Sequence, residues 1–144
     1  MSIVPLNSNA VIFADSTSPF AAKLDSNKFI KGTSVWKNSS AYLKYTRWNS
    51  QAFTGCFANN YGWSGTNNSQ SQNGYVGLKL VIGNNKYFGW IKLNVYGTFG
   101  GNPSGQWGRC IVIDFAYDST PNHSIHAGAT NGARLSTDFL FCYN

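Results

Sequence analysis

The fold is decided by three runs between residues 75 and 117: Tyr75-Val-Gly-Leu-Lys-Leu-Val-Ile82, Lys86-Tyr-Phe-Gly-Trp-Ile-Lys-Leu-Asn-Val-Tyr96 and Arg109-Cys-Ile-Val-Ile-Asp-Phe-Ala-Tyr117. The first two alternate with a period of two residues, which is typical of strands that bury one face. The expected buried side chains are Val76, Leu78, Leu80 and Ile82 in the first run and Tyr87, Ile91, Leu93 and Val95 in the second. Gly83-Asn84-Asn85 tolerates positive φ, so these runs predict a β-meander whose first turn is a tight hairpin.

Composition extends this prediction to the whole chain. Aromatic residues make up 16% and charged residues 11% of the 144 positions, and the five acids are all Asp. Helices lack strong formers for their exposed positions, whereas aromatic and β-branched residues suit strands and Asn, Ser and Gly suit turns. We therefore expect an all-β protein.

The remaining runs supply further short strands. Lys28–Lys31, Ser34–Trp36 and Ser124–His126 are short candidates, Ala41–Trp48 alternates cleanly, and Arg134–Cys142 closes the chain as a last strand. About eight or nine strands separated by turn signals are typical of a sandwich or barrel. We predict an antiparallel β-sandwich, jelly-roll-like, that forms a single domain over residues 1–144, because this length suits one domain.

The formal net charge of +6 does not indicate a nucleic-acid partner. The eleven Lys and Arg residues are scattered singly from Lys23 to Arg134, so no basic stripe is visible that could follow a phosphate backbone. Scattered Lys residues instead protect sheet edges and keep the surface soluble. We expect no nucleic-acid binding.

Cysteine content and the N-terminus bear on the compartment. Cys56, Cys110 and Cys142 allow three choices of a single disulfide, and the sequence does not select one. Residues 1–7 lack the basic and apolar regions of a signal peptide, and no run approaches the roughly 18 apolar residues of a membrane span. The composition is nevertheless typical of extracellular proteins, so we expect a secreted or cell-surface protein whose signal peptide is not part of this chain.

A motif in the second half of the chain supports this compartment. It consists of Tyr87-Phe-Gly-Trp-Ile-Lys-Leu-Asn-Val95, Ile111-Val-Ile-Asp-Phe-Ala-Tyr-Asp118, Pro121-Asn122 and Ser124-Ile-His-Ala-Gly128. The order resembles a recurrent ending, yGWi.l.v…dyAYds.pn.sI.aG, in a family of secreted or surface-exposed bacterial proteins that includes Bacteroidetes surface proteins and exosortase-anchored proteins. The resemblance covers about a third of the chain and implies secretion and a β-domain. It implies no catalytic residue, because the family carries no established reaction.

No pattern indicates catalysis. Glycoside hydrolysis needs two facing carboxylates, and Asp118, the neighbour of Asp114 in sequence, opens a turn that its side chain is expected to cap. No Gly-x-Ser-x-Gly elbow accompanies His123 or His126. Calcium is the one cofactor left open, through Asp114, Asp118 and loop carbonyls, although no loop has closely spaced acids. We expect no enzymatic activity and no cofactor.

Two long polar segments, Asn59–Gly74 and Thr98–Gly108, are predicted as loops. The first exceeds about 12 residues, a length at which a loop in a compact domain is functional or disordered. Both contain aromatic residues that a merely solvating loop would not need. An aromatic ring can lie against the apolar face of a sugar while amides and Arg bind its hydroxyl groups. We therefore predict a lectin-like binding module for carbohydrate or a cell-surface polymer, with Tyr61, Trp63, Asn67, Asn68, Gln70, Asn102, Gln106, Trp107 and Arg109 as ligand-binding residues.

Self-association is the alternative. A surface rich in Tyr, Phe, Trp and Asn with few acids has little protection against pairing at sheet edges. The apolar last strand could also pair with or insert into a neighbouring molecule. A head-to-tail contact of this kind would make the protein a self-assembling structural subunit of an extracellular fibre or shell.

Overall fold

The computed structural model describes residues 2–43, 72–99, 106–130, 133–134 and 142–143. These residues contain no helix and form antiparallel sheets, which confirms the all-β, sandwich-type fold class. The strands are β1 (Ser2–Ile3), β2 (Ala10–Ile12), β3 (Phe29–Ile30), β4 (Trp36–Lys37), β5 (Ala41–Tyr42), β6 (Gln72–Ile82), β7 (Asn85–Phe99), β8 (Gln106–Asp118), β9 (Ile125–His126), β10 (Ala133–Arg134) and β11 (Cys142–Tyr143). The jelly-roll connectivity and the single-domain boundary remain predictions.

A six-stranded sheet of order β10-β8-β7-β6-β2-β4 is the centre of the fold. Its core is the predicted meander, in which β6 pairs with β7 and β7 with β8. Gly83 has a φ of 59° in the turn between β6 and β7, where Ile82 and Asn85 are Cα partners. This left-handed conformation suits Gly, so the local sequence explains the tight hairpin.

The alternation predicted one buried face for these strands, but the central sheet buries side chains on both faces around Ile91 and Trp90. On one face the sheet β11-β1-β5 contributes Ile3 and Ala41 to a core that contains Val76, Ile91 and Leu93. These are the meander residues that the period-two pattern identified. The alternation was wrong at Ile82, which is 60% exposed.

The opposite face of the meander packs against the small sheet β3-β9. Ile30 and Ile125 from that sheet join Phe88, Trp90 and Ala116 in a second buried cluster. Phe88 and Trp90, on the face of β7 opposite to Ile91 and Leu93, are therefore also buried. The result is three layers, with the long meander in the middle.

Glycines allow neighbouring strands of the central sheet to approach closely. A Cβ on Gly77 would lie 2.4 Å from Cδ1 of Ile12, and a Cβ on Gly89 would lie 2.6 Å from the carbonyl oxygen of Ala116. No side chain fits at either position without movement of its neighbour. The Gly89-Trp90 pair of the sequence motif is thus explained by packing between β7 and β8.

The predicted loops are shorter than the polar composition indicated. β6 begins at Gln72, so residues 72–74 belong to a strand and not to the first loop. β7 extends through Phe99 and β8 begins at Gln106, so both ends of the second predicted loop are strand. Cross-strand pairing overrides the polar and Gly-rich composition at these positions, because the long hairpin continues the register of its apolar centre.

Two predicted strands were also revised. The described ends of the run 134–142 belong to different sheets, since Arg134 pairs with Tyr117 and Cys142 with Ile3. The prediction that Arg134 and Cys142 are the two ends of one last strand is therefore wrong. In the run 41–48, β5 covers Ala41–Tyr42, and residues 44–48 lie outside the described residues.

Candidate binding face

A β-bulge in β8 determines which side chains share a face of the meander. Lys92 is the Cα partner of Asp114 and Leu93 is the partner of Val112, so Ile113 is the extra residue on β8. Asp114 and Ile111 are three positions apart and would point to opposite faces of a regular strand. The bulge brings both to the face that also carries Lys92 and Asn94.

We call the polar part of this face the meander face, and define it by Asn73, Tyr75, Lys92, Asn94, Arg109 and Asp114. Directly opposite residues on neighbouring strands lie on the same face, which groups the members into rows. The first row is Tyr75, Lys92 and Asp114, one residue from each of β6, β7 and β8. The second row is Asn73, Asn94 and Ile111, and Arg109 lies two residues beyond Ile111.

The first row combines an aromatic ring with opposite charges. The Nζ atom of Lys92 lies 5.6 Å from the ring centroid of Tyr75, a cation-π arrangement. Asp114 is exposed, and its Oδ1 atom accepts a hydrogen bond from the backbone N–H of Phe115 at 2.8 Å. The row therefore presents a charged donor and a charged acceptor next to an aromatic side chain.

The second row presents amides. The Nδ2 atom of Asn94 donates a hydrogen bond to Oδ1 of Asn73 at 2.8 Å, which orients both side chains across the β6–β7 pair. Asn73, Ile111 and Arg109 are exposed. Amide and guanidinium groups held at strand spacing can bind several hydroxyl groups of an extended ligand at once.

Tyr75 is held in place from the interior. Its ring meets the Trp90 ring edge-on with the centroids 5.3 Å apart. Trp90 is 1% exposed, and its Nε1–H donates to the carbonyl oxygen of Ala129 at 3.0 Å. Because Trp90 is buried, its contact with Tyr75 makes the aromatic member of the meander face part of the fold.

The structure describes three of the nine ligand-binding residues predicted from sequence. Arg109 is exposed and belongs to the meander face. Gln106 and Trp107 lie in β8, opposite Phe99 and Thr98, and not in a loop. The others lie outside the described residues: Tyr61, Trp63, Asn67, Asn68, Gln70 and Asn102.

Sequence reasoning missed Asn73, Lys92 and Asn94 as candidates. Lys92 and Asn94 were visible as the polar positions that alternate with Ile91, Leu93 and Val95, and they could have been identified from that pattern. Asp114 could not be assigned to their face, because the apolar run around it gives no signal for the bulge.

Asp118 and His123 form a second polar cluster, at the turn after β8. Oδ1 of Asp118 accepts the backbone N–H of Thr120 at 2.8 Å, which confirms the predicted turn-capping role, and Oδ2 pairs with Nδ1 of His123. Burial raises the pKa of Asp118, but the hydrogen bonds from His123 and Thr120 together lower it by more than burial raises it. The pKa is therefore below the ordinary 3.8. Both oxygens of this carboxylate therefore contact residues of the turn.

The geometry does not bring Asp114 and Asp118 together as calcium ligands. The two residues lie four positions apart on β8, about 13 Å along an extended strand. Within the described ranges, no cluster of three or more His, Cys, Asp or Glu side chains could hold a metal ion.

Comparisons with known proteins do not assign the chain to a family. No family model, curated protein or solved structure matches it. Of the residues described, none belongs to a helix with the length and apolar character needed to cross a membrane.

Proposed function

We propose that this protein is a non-catalytic, lectin-like binding module, secreted or at the cell surface, that recognises carbohydrate or another cell-surface polymer. The observation that carries the proposal is the pair of cross-strand rows on the meander face, which the bulge at Ile113 aligns. Amide, ammonium, guanidinium and carboxylate groups lie there beside the Tyr75 ring. This set of groups suits a ligand with many hydroxyl groups and few charges.

The proposed binding face lies next to the segments predicted as ligand-binding from sequence. The meander face lies on β6, β7 and β8, where long strands fix the spacing of the side chains. The segments predicted as ligand-binding from sequence join these strands, because one precedes β6 and the other connects β7 to β8. Arg109 is both a member of the meander face and one of the nine ligand-binding residues predicted from sequence.

A glycan array tests the proposal. The wild-type protein should bind a subset of immobilised glycans, and Arg109→Ala should weaken that binding about tenfold, since hydrogen bonds to a charged group contribute about 1.5–3 kcal/mol. Lys28→Ala is the matched control: Lys28 is an exposed lysine that is not a member of the meander face, so its loss should leave binding unchanged. Absence of glycan binding by the folded wild-type protein would contradict the proposal.

A specific observation also favours self-assembly as a second candidate. Ile111, Val112 and Ile113 are consecutive in β8 and are 39%, 43% and 48% exposed. Arg109 and Asp114 flank this apolar group with opposite charges. β10 pairs with β8 at Tyr117 and Asp118, past this segment. In an antiparallel contact between residues 109–114 of two copies, Arg109 of one copy would lie opposite Asp114 of the other, which makes the segment self-complementary.

Size-exclusion chromatography with light scattering tests this candidate. If β8 mediates assembly, the mass should rise with concentration, and Val112→Lys should keep the protein monomeric because it places two like charges in the apolar contact. A wild-type protein that stays monomeric at millimolar concentration would exclude assembly through β8. The same experiment decides whether Arg109 is accessible to a glycan.

A further inference from the structure

A basic and aromatic corner lies at the other end of the central sheet from the meander face. It is formed by Trp36 on β4, Lys79 on β6 and Lys86 on β7. Lys79 is the Cα partner of Phe88, and Lys86 lies two residues before Phe88 on β7. The two lysines are therefore diagonal neighbours on the same face of the sheet.

Trp36 is fixed in this corner by three contacts. Its Nε1–H donates to the carbonyl oxygen of Lys31 at 3.0 Å. Its ring stacks on the Phe88 ring, with centroids 5.6 Å apart and an interplanar angle of 23°. The Nζ atom of Lys79 lies 5.5 Å from the ring centroid of Trp36. A half-buried indole with one lysine above it is thus preorganised at the surface.

The electrostatics of the corner are unfavourable in the protein alone. Partial burial lowers the pKa of Lys79, and the positive charge of Lys86 lowers it further. The groups that act on Lys79 in the described part of the chain include no carboxylate. Like charges on neighbouring strands repel each other, and the cation-π contact with the Trp36 ring offsets part of the loss of water around Lys79. An anion placed between the two ammonium groups would relieve both effects.

We propose that the corner formed by Trp36, Lys79 and Lys86 binds an oxyanion carried by an acidic polysaccharide, either a carboxylate or a sulfate ester. The two ammonium groups supply charge-assisted hydrogen bonds to the oxyanion. Trp36 supplies an apolar surface for the C–H groups of the sugar ring that carries it. A saccharide is the better occupant than a free ion because the indole belongs to the site.

This site is distinct from the meander face. Lys79 lies four residues from Tyr75 along β6, about 13 Å on an extended strand. The oxyanion site goes beyond the proposed function, since it adds a second contact area and a charged ligand class.

The test compares two double variants that lose the same charge. Lys79→Gln/Lys86→Gln removes both ammonium groups of the site. Lys23→Gln/Lys28→Gln removes two lysines outside the corner, and within the described residues neither of them forms an ion pair with a carboxylate. The probes are polygalacturonate for carboxylates, dextran sulfate for sulfate esters and unmodified dextran as the neutral polymer. Binding is measured by calorimetry at about 0.1 M salt, where long-range attraction between exposed charges is largely screened.

The wild-type protein should bind at least one acidic polymer more tightly than dextran, and the acidic polymer that binds identifies the oxyanion. The site variant should lose about tenfold or more in affinity, and the control about threefold or less. Equal losses in both variants, or no preference of the wild type for an acidic polymer, would overturn the proposal. Loss of glycan binding in Arg109→Ala with retained acidic-polymer binding would separate the two sites. Circular dichroism of each variant establishes that it is folded.

Discussion

The close packing of Gly77 on β6 against Ile12 on β2 allows a prediction of how much Gly77→Ala lowers the free energy of unfolding. In Gly77→Ala the new Cβ would lie 2.4 Å from Cδ1 and 2.9 Å from Cγ1 of Ile12, and 3.5 Å from Cγ1 of Ile30. Cδ1 ends a flexible side chain, but Ile12 is buried in the same cluster as Ile30, which limits its rotation. The added methyl group therefore has to displace a packed side chain.

The cost follows from two opposing effects. Overpacking a well-packed core costs about 1–3 kcal/mol. Replacing Gly in a strand interior returns about 0.5–1 kcal/mol. Gly77→Ala should therefore destabilise the protein by about 1–2 kcal/mol. Ile12→Val deletes Cδ1 at a cost of about 0.5–1.5 kcal/mol and removes the closest contact, so in that background Gly77→Ala should cost about 1 kcal/mol less.

Urea unfolding of the wild type, the two single variants and the double variant measures this coupling. Gly89→Ala is the control, because its Cβ would meet the backbone carbonyl of Ala116 at 2.6 Å, which no side-chain deletion relieves. Gly89→Ala should cost more than Gly77→Ala and should be unaffected by Ile12→Val. Additive effects of Gly77→Ala and Ile12→Val would refute the packing of β2 against β6 described above.

Two further predictions concern the support of the meander face and the turn after β8. Trp90→Phe should lower the free energy of unfolding by about 2–3 kcal/mol, because it leaves a void and removes the hydrogen bond to the Ala129 carbonyl; an unchanged urea midpoint would contradict the buried position of the indole. Asp118→Asn should flatten the acid side of the stability profile. The folded-state pKa of Asp118 is below its unfolded value near 3.8, so its contribution is complete above that value and is lost as the pH falls through the folded pKa. Stability measured from pH 6 to pH 2 should show a smaller loss in the variant than in the wild type, and identical losses would remove Asp118 as a source of acid sensitivity.

The sequence predicts the centre of the fold well because local and tertiary preferences agree there. Val76, Leu78, Ile91 and Leu93 alternate with period two and are all buried, and Gly83 lies where the hairpin requires a positive φ. Strand β9 was also predicted, as the short strand Ser124–His126 that follows a turn. Two-residue strands such as β10 and β11 give no alternation to detect, which is why the described residues contain eleven strands where about eight or nine were expected.

The candidate site was harder to predict because it depends on register. Arg109 was selected for its chemistry, and its exposed position in β8 agrees with that choice. Its grouping with Lys92 and Asp114 depends on the bulge at Ile113, which a continuous apolar run does not indicate. Likewise, the diagonal pair of Lys79 and Lys86 arises from the β6–β7 register and not from sequence proximity. The family resemblance and the secreted location remain predictions.

Amide hydrogen exchange, with and without the glycan that binds best on the array, tests the central claim most directly. Binding at the meander face should slow exchange at residues 73–75, 92–94 and 109–114 and leave Phe29 and Ile30 of β3 unchanged. Protection confined to residues outside β6, β7 and β8, or no change anywhere on addition of a bound glycan, would contradict the assignment of the meander face as the binding surface.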